Sequence, residues 1–249
     1  MRTISVLQFK GGVGKTSTTI NLGHALAREG QRVLLVDCDL QANTSTLIDA
    51  VDAPTLTHVL RGQADLRAAI RPAREHLDLV PSDHALDTAA RHISAEGRKA
   101  YYTLKRQVAT LEGYDIVLFD HSPSYSSVTE AALLASDEML IPCELAPFSV
   151  DGLVAMLEKL EDTLVDHTLT LAGVIPFKLD RRLSMHAAYL ADLTTTFGDK
   201  VLPAVRTDSA IPKAQSFRQS VLEYDPTAKS AQDFRDVAAR VMSNDVVLA

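Results

Sequence analysis

The sequence predicts a single α/β domain, residues 1–249, in which a mostly parallel, twisted sheet is covered by helices on both faces. Apolar runs of strand length alternate with stretches of helical spacing along the chain. These runs are apolar throughout, as in strands that are buried on both faces of a sheet. No linker, composition break or low-complexity tract interrupts the alternation, so we expect one domain with helices packed on each side of the sheet.

The predicted elements follow one another in order. The first strand, 3–9, is β-rich and ends in glycines, and the first helix, 16–30, ends at Gly30. The next strand, 32–37, ends in an acid. The later apolar runs with this signature are 77–82, 114–120, 137–143 and 169–177. Helical spacing is found at 99–112, 126–135, 149–165, 184–197 and 227–243. In the last of these, apolar residues recur every three or four positions, and we expect that stripe to pack on the body of the domain.

The composition indicates a globular protein of a reducing compartment. Of the residues, 46% are hydrophobic and 23% charged, and the net charge of −7 argues against a surface coated in positive charge for nucleic acid. A local basic patch remains compatible with that balance, because the field near a surface is set by nearby charges. Cys38 and Cys143 lie in apolar runs and are expected to be buried free thiols. No apolar run approaches the roughly 20 residues of a membrane span, so we expect a cytoplasmic protein without membrane contact.

A glycine-rich stretch, LQFKGGVGKTST at 7–18, follows the first strand. Its glycines permit backbone angles that side chains forbid, so the loop can surround a phosphate with N–H groups, and the helix that follows adds its positive end. Lys15 is then expected to bridge the β- and γ-phosphates, and the Thr16 hydroxyl to bind Mg²⁺. The preceding strand and the Lys-Thr pair argue against a chance glycine-rich turn. The predicted nucleotide-binding residues are Gly11, Gly12, Val13, Gly14, Lys15, Thr16 and Ser17.

The stretch KGGVGKTS, 10–17, carries a second lysine, Lys10, and resembles the deviant Walker A motif of the ParA/MinD ATPases, which belong to the P-loop NTPases. The resemblance implies ATP and Mg²⁺ as cofactors. It also implies a homodimer of ATP-bound subunits in which Lys10 reaches the partner's nucleotide, which makes Lys10 a catalytic candidate beside Lys15. A cation at the loop mouth has little anionic surface of its own, and a second triphosphate across an interface supplies it. The alternative is a solvated loop lysine.

Two further motifs end in acids. VLLVDCDLQAN, 33–43, resembles the family's V-D-x-D-P-Q-x-N motif, with Leu40 in place of the usual proline. The resemblance gives Asp39 the catalytic role of positioning the attacking water and Asp37 that of supporting the metal's water shell. Both acids at a strand end also suit the simpler role of capping a turn. YDIVLFDHSPS, 114–124, resembles a Walker B strand, so Asp120 is expected to hold Mg²⁺ through water.

Departures from the family pattern bear on two other residues. The family usually continues D-T-P-P after its Walker B acid, whereas here His121 follows Asp120. A histidine with no identified partner is a weak candidate for a base, and a structural role is favoured. FKLD, 177–180, lies where the family places its base-binding loop, and Phe177 replaces the asparagine of the guanine-reading N-K-x-D motif. ATP is therefore favoured over GTP. Similarity to the family continues through 140–153 and 220–234.

Within the family, the resemblance is closest to ParA-type, Soj-like DNA partition ATPases. The region 178–229 carries eight basic and six acidic residues, so it is positive while the chain as a whole is negative. Segments of this region match those from which the family draws its DNA contacts, although scattered solvated charge is the simpler interpretation. The expected DNA-binding residues are Arg182, Arg206, Lys213 and Arg218.

The resemblance thus implies a slow ATPase for chromosome or plasmid partition, located in the cytoplasm on the nucleoid. Its ATP dimer would bind DNA nonspecifically and be released when a ParB-type centromere-binding protein stimulates hydrolysis. Because the phosphate loop begins at residue 10, no N-terminal helix-turn-helix extension is expected. A MinD-like positioning ATPase should end in a basic amphipathic helix, whereas this sequence ends VMSNDVVLA. A nitrogenase-type reductase would need cluster cysteines on exposed loops, and a small-molecule ligase or kinase would need a substrate pocket that the sequence does not reveal.

Overall fold

One sheet organises the computed structural model, which describes residues 1–47, 54–164 and 166–243. Its strand order is β3-β4-β2-β5-β1-β6-β7-β8. Every described strand pair is parallel except β3 with β4, which is antiparallel. The strands are β1 (Arg2–Val6), β2 (Val33–Cys38), β3 (Arg71–Arg74), β4 (Leu77–Val80), β5 (Ile116–His121), β6 (Glu138–Glu144), β7 (Thr170–Leu179) and β8 (Val205–Arg206). The α/β class with a mostly parallel sheet, predicted from the sequence, is confirmed.

Helices connect the strands and cover both faces of the sheet. They are α1 (Lys15–Arg28), α2 (Leu56–Leu60), α3 (Leu66–Ala69), α4 (Leu86–Glu96), α5 (Arg98–Tyr101), α6 (Thr103–Val108), α7 (Ser127–Leu134), α8 (Ser149–Thr163), α9 (Ser184–Phe197), α10 (Ala210–Ser216), α11 (Val221–Tyr224) and α12 (Lys229–Ser243). Short 3₁₀ turns occupy Thr44–Leu47 and Gly198–Lys200. The described part of the chain contains no helix that is long and apolar enough to span a bilayer.

The two faces of the sheet divide the apolar side chains of each central strand between separate cores. On β2, Val33 and Leu35 pack with α1 and α12, whereas Leu34 and Val36 pack with α2, α4, α6 and α7. Because successive side chains point to opposite faces, a strand that is buried on both sides must be apolar at every position. The continuous apolar runs of the sequence thus reflect burial on both faces of the sheet. In α12 the predicted stripe is buried against the body: Ala231, Phe234, Ala238 and Val241.

Several elements differ from the sequence prediction. β1 ends at Val6, so residues 7–9 already belong to the phosphate loop region. The predicted helix 99–112 is two short helices, α5 and α6, which Tyr102 separates. The elements between residues 54 and 96, apart from β4, were not predicted. The elements α2, α3 and β3 are too short to show a clear period, whereas α4 has 11 residues and its buried stripe of Leu86, Ala89 and Ile93 was overlooked. The predicted burial of Cys38 and Cys143 as free thiols is confirmed.

Candidate nucleotide-binding site

The glycine-rich loop connects β1 to α1 at the carboxyl ends of the strands. Gly12 and Gly14 have φ of +73° and +96°, which side chains rarely adopt. Gly14 immediately precedes α1, and the Phe177 ring lies against its α-carbon, where a Cβ would meet the ring. The loop conformation therefore depends on glycine at position 14 for two separate reasons, backbone angle and space. The loop immediately precedes the 14-residue helix α1. Its N–H groups and the positive N-terminal end of the helix are therefore directed toward the same point.

Lys15 is buried, with 7% of its surface exposed, and its ammonium donates a hydrogen bond to the Lys10 carbonyl at 3.2 Å. Burial lowers the pKa of Lys15, and the nearby Asp120 and Asp39 carboxylates oppose that shift. The Lys15 side chain thus folds back over its own loop. Ser17, in the same first turn of α1, accepts a hydrogen bond from the Gln215 amide at 3.0 Å, which ties the start of the helix to α10.

Asp37 and Asp120 lie side by side at the ends of β2 and β5, where they are register partners. Asp37 is fully buried and accepts hydrogen bonds from the Ser45 N–H at 2.8 Å and the Ser45 hydroxyl at 2.6 Å. Burial, reinforced by the Asp120 charge, raises the pKa of Asp37 to about 7. Both acids were predicted as metal-site residues, and the structure brings them together beside the loop.

Asp120 is also fully buried, and Thr44 donates a 2.6 Å hydrogen bond to it. Burial raises the pKa of Asp120 to about 6, although hydrogen bonds from Thr44 and Thr16 act in the opposite direction. The buried carboxyl groups of Asp37 and Asp120, together with the Thr16 hydroxyl, form a set of oxygen donors. Such a set suits Mg²⁺, which prefers oxygen ligands and is commonly held by one or two carboxylates plus substrate phosphates. The described residues contain no group of three or more acidic, histidine or cysteine side chains that could enclose a metal by themselves. The donor set therefore fits a metal shared with a nucleotide.

A cavity of about 540 Å³ opens beside the loop. Asp39 faces it, is 7% exposed, and accepts a hydrogen bond from the Gln41 N–H at 3.0 Å. This bond fixes one carboxylate oxygen of Asp39 and holds the following turn, in which Leu40 is partly exposed. The cavity brings together loop residues Gly11, Gly12, Gly14, Lys15, Thr16 and Ser17 with Asp39, Gln41, Asn43, Phe177, Lys178, Arg206, Asp208 and Gln215.

Lys10 differs from Lys15 in its exposure. Its side chain is 58% exposed, and its ammonium lies 3.2 Å from the carboxylate of Glu144 at the end of β6. The same carboxylate accepts a 2.9 Å hydrogen bond from Lys178. The Lys178 hydrogen bond is the main reason why the pKa of Glu144 is lowered. The sequence analysis did not single out Glu144. Like the other acids of the site, it lies at the end of an apolar run, here 137–143, and this position was the signal that could have identified it.

His121 lies behind the site rather than in it. Its Nε2 is 2.8 Å from the Ser5 hydroxyl, which in turn is 2.7 Å from the Ser136 hydroxyl. Burial lowers the pKa of His121 to about 3, so the ring is neutral at physiological pH. These hydroxyl contacts join β5 to β1 and to the turn before β6. The arrangement fits the structural role that the sequence favoured.

The four residues expected to bind DNA are not equally available. Arg182 is 88% exposed and forms a 2.6 Å ion pair with Asp180, while Lys213 and Arg218 lie on the surface at α10 and the turn after it. Arg206 instead lines the nucleotide cavity, and its guanidinium is bonded to the buried Asp233, with the Nε atom at 2.9 Å from the carboxylate. Both arginines are thus paired with a carboxylate of this chain, and Arg206 differs in that its side chain is only 26% exposed and its partner Asp233 is buried.

A glycine-rich loop between a buried strand and a helix, with a buried lysine and acids at two neighbouring strand ends, defines a P-loop nucleoside triphosphatase. Comparisons with known proteins agree with this class. The family model described as an AAA domain matches residues 1–170. The chromosome partitioning protein ParA of Caulobacter vibrioides is 33% identical over 255 residues, which cover 98% of this chain and 95% of ParA. The chain therefore belongs to the ParA/MinD family of P-loop ATPases.

Solved structures extend the comparison. Apo McdA from Cyanothece matches with a TM-score of 0.85 and 25% identity, covering 97% of this chain and 99% of McdA. Cobyrinic acid a,c-diamide synthase from Mycobacterium smegmatis, with bound ADP and magnesium, matches with a TM-score of 0.83 and 25% identity, covering 99% of this chain and 96% of the synthase. The fold is thus shared by McdA and by a synthase, so function must be argued from the site.

Proposed function

We propose that the protein is an ATP-dependent switch for DNA partition, of a chromosome or a plasmid. Its ATP-bound homodimer binds DNA without sequence choice, and hydrolysis stimulated by a ParB-type centromere-binding protein releases it. This activity would place the protein in the cytoplasm on the nucleoid. The observation that carries the proposal is the contrast between two lysines of one loop: Lys15 is buried over the loop, whereas Lys10 is exposed at its mouth. A lysine that served only its own phosphates would gain nothing from that exposure.

The proposed hydrolysis divides the work among the site residues. Lys15 and the N–H groups of residues 11–17 hold the triphosphate, and Asp39 orients the attacking water at the cavity wall. Thr16, Asp37 and Asp120 would hold Mg²⁺, which neutralises charge on the β- and γ-phosphates when bound. Ser45 and Thr44 keep the two buried acids in place. Lys10 adds a cation to the partner's phosphates and so couples nucleotide to dimer.

For DNA contact, the exposed charges of Arg182, Lys213 and Arg218 support a nonspecific, phosphate-directed surface. We propose a smaller contribution from Arg206, because its guanidinium is held by Asp233. Two subunits in a dimer double the number of cations that face a duplex. A ParB-type partner is proposed on the strength of the similarity to ParA of Caulobacter vibrioides.

The central experiment is DNA co-sedimentation of the full chain with ADP, ATP and a slowly hydrolysed ATP analogue. We expect DNA binding with ATP and the analogue, and weak or no binding with ADP. Lys10→Ala should bind fluorescent nucleotide nearly as the parent does but fail to dimerise in light scattering and fail to pellet with DNA. Lys159→Ala, which removes an exposed lysine from α8, is the matched control and should behave as the parent. If Lys10→Ala dimerises with ATP as well as the parent, the cross-subunit role of Lys10 is wrong.

A second candidate is a small-molecule ligase, which the similarity to cobyrinic acid a,c-diamide synthase favours. Such an enzyme would hydrolyse ATP in response to an organic substrate and would not respond to DNA. Measuring ATP turnover with and without DNA, in the presence and absence of a ParB-type protein, separates the two candidates. Turnover that neither addition changes, together with no DNA binding in any nucleotide state, would count against the partition function.

A further inference from the structure

A single carboxylate holds two cations at the mouth of the nucleotide cavity. One oxygen of Glu144 lies 3.2 Å from the Lys10 ammonium, and the other accepts the hydrogen bond from Lys178 at 2.9 Å. Lys10 comes from the phosphate loop, and Lys178 follows Phe177, whose ring covers Gly14. Glu144 thus connects the loop that holds phosphates with the segment that covers it.

The position of Glu144 is fixed by the sheet. It is the last residue of β6 and the register partner of Phe177 on β7. Its carbonyl accepts a 2.8 Å hydrogen bond from the Ser149 hydroxyl in the first turn of α8. With the backbone held on both sides, the carboxylate has a defined location toward which Lys10 and Lys178 bend.

The Lys178 backbone is held in an unfavourable conformation. Its φ is +59°, in the left-handed region that residues other than glycine adopt rarely. Two contacts hold it there: the ion pair to Glu144, and the hydrogen bond from the Thr207 hydroxyl to the Lys178 carbonyl at 3.0 Å. Strained residues persist only where specific contacts hold them, and they cluster at active sites and switch segments.

We infer that Glu144 is a latch that holds Lys10 within its own subunit and so opposes ATP-dependent dimerisation. The inference rests on the proposed function, in which Lys10 reaches the partner's phosphates. An ammonium that is bonded to Glu144 must give up that partner, or share it, to serve a second triphosphate. The carboxylate also adds negative charge where an anionic nucleotide approaches. By symmetry the dimer opens two latches, one in each subunit.

The test uses the full-length protein with Glu144→Gln, which keeps the shape of the side chain and removes its charge. Light scattering across a range of protein concentrations, with a slowly hydrolysed ATP analogue, gives the concentration of half-dimerisation. Because exposed ion pairs are individually weak and two are opened per dimer, we expect that concentration to fall about three- to tenfold. The difference from the parent should shrink at high salt, which screens exposed charges.

Two further variants give the test a direction. Asp87→Asn removes one carboxylate from the exposed Asp87–Arg91 pair of α4 and should leave dimerisation unchanged. Lys178→Gln removes one of the two cations that share Glu144, so the carboxylate should hold Lys10 more tightly. The concentration of half-dimerisation should then rise, whereas Glu144→Gln should lower it. Nucleotide affinity is measured for each variant at monomeric concentrations, so that weaker ATP binding is not mistaken for weaker dimerisation.

The outcomes distinguish the latch from the proposed function. If the parent dimerises with the analogue but Glu144→Gln shifts nothing, or makes dimerisation weaker, the latch is wrong and the partition function stands. A parent and a Glu144→Gln variant that both remain monomeric with the slowly hydrolysed analogue refute the ATP dimer itself and, with it, the role of Glu144. Acetylation of the Lys10 amine, followed by mass spectrometry in the monomer, should be faster in Glu144→Gln. Equal rates of acetylation in the parent and in Glu144→Gln would show that Glu144 does not restrain Lys10.

Discussion

Three glycines of the phosphate loop allow backbone strain and steric crowding to be measured separately. Gly11 has neither a positive φ nor an atom within 4 Å of the point where an added methyl group would lie. Gly12 has a φ of +73° with open space around it, and Gly14 has a φ of +96° with the Phe177 ring in the way. Substitution by alanine is therefore expected to add neither strain nor a clash at Gly11, strain alone at Gly12, and both strain and a clash at Gly14. No other change is made to the loop.

The expected losses of unfolding free energy follow from these three environments. Gly11→Ala should stay within about 0.5 kcal/mol of the parent, as surface substitutions usually do. Gly12→Ala should cost about 1–2 kcal/mol, since an L-residue in the left-handed region carries that penalty. Gly14→Ala should cost roughly 2–5 kcal/mol, because overpacking against a buried ring adds about 1–3 kcal/mol to the strain.

Urea unfolding of the nucleotide-free protein measures these losses, with the slope of the transition checked in every variant. Phe177→Ala removes the ring and is expected to destabilise by about 3–5 kcal/mol. In the double variant, Gly14→Ala should cost only the strain, so the two changes should be less than additive by roughly 1–3 kcal/mol. Equal losses for Gly12→Ala and Gly14→Ala, or strict additivity with Phe177→Ala, would refute the assignment of Phe177 as the obstacle.

Four further predictions concern the site and its surroundings. Lys15→Ala removes a charged contact to phosphate worth about 1.5–3 kcal/mol, so calorimetry should show ATP affinity reduced roughly ten- to hundredfold; unchanged affinity would mean that the loop is not the site. Asp39→Ala should bind ATP and accumulate as a dimer on sizing columns while hydrolysis stalls, and normal turnover would contradict its role. If both subunits present Arg182, Lys213 and Arg218, about six phosphates are contacted and the log–log salt dependence of DNA affinity should have a slope of roughly −5, with Arg182→Glu weakening all sequences alike; a strong preference for one sequence would contradict this surface. Burial lowers the pKa of His24 to about 4, so the unfolded chain takes up a proton near pH 6.5 that the folded chain does not, and the contribution of His24 to stability should fall as pH decreases from about 6.5 toward 4. Urea unfolding of the parent and of His24→Gln at several pH values measures this contribution as the difference between the two proteins, and a difference that does not change over this range would exclude the lowered pKa of His24.

The sequence predicted what depends on local pattern. Asp37 and Asp120 each close an apolar run, and parallel strands place their carboxyl ends at one edge, so the meeting of these acids was foreseeable. The family resemblance added roles that spacing alone does not supply. The fold class followed from the same runs, because a strand that is buried on both faces leaves a distinct signature.

What the sequence did not predict depends on contacts between distant residues. The hydrogen bond from Thr44 to Asp120 spans 76 positions, and the pairing of Lys178 with Glu144 spans 34. Neither has a local motif, because the partners lie on different elements: Thr44 is in a 3₁₀ turn and Asp120 on β5, while Glu144 is on β6 and Lys178 on β7. The neutralisation of Arg206 by Asp233 was missed for the same reason: a count of charges along the chain cannot show which of them are already paired.

The edge strands determine how this sheet can meet another molecule. At one edge, β3 reads Arg-Pro-Ala-Arg, and Pro72 has no N–H to donate to an added strand. At the other edge, β8 has two residues, and the Arg206 N–H donates to the Asp233 carboxylate at 3.0 Å instead of to a further strand. Both edges of the described sheet thus disfavour extension by β-pairing. Two copies of the chain are expected to meet through loops and helices instead.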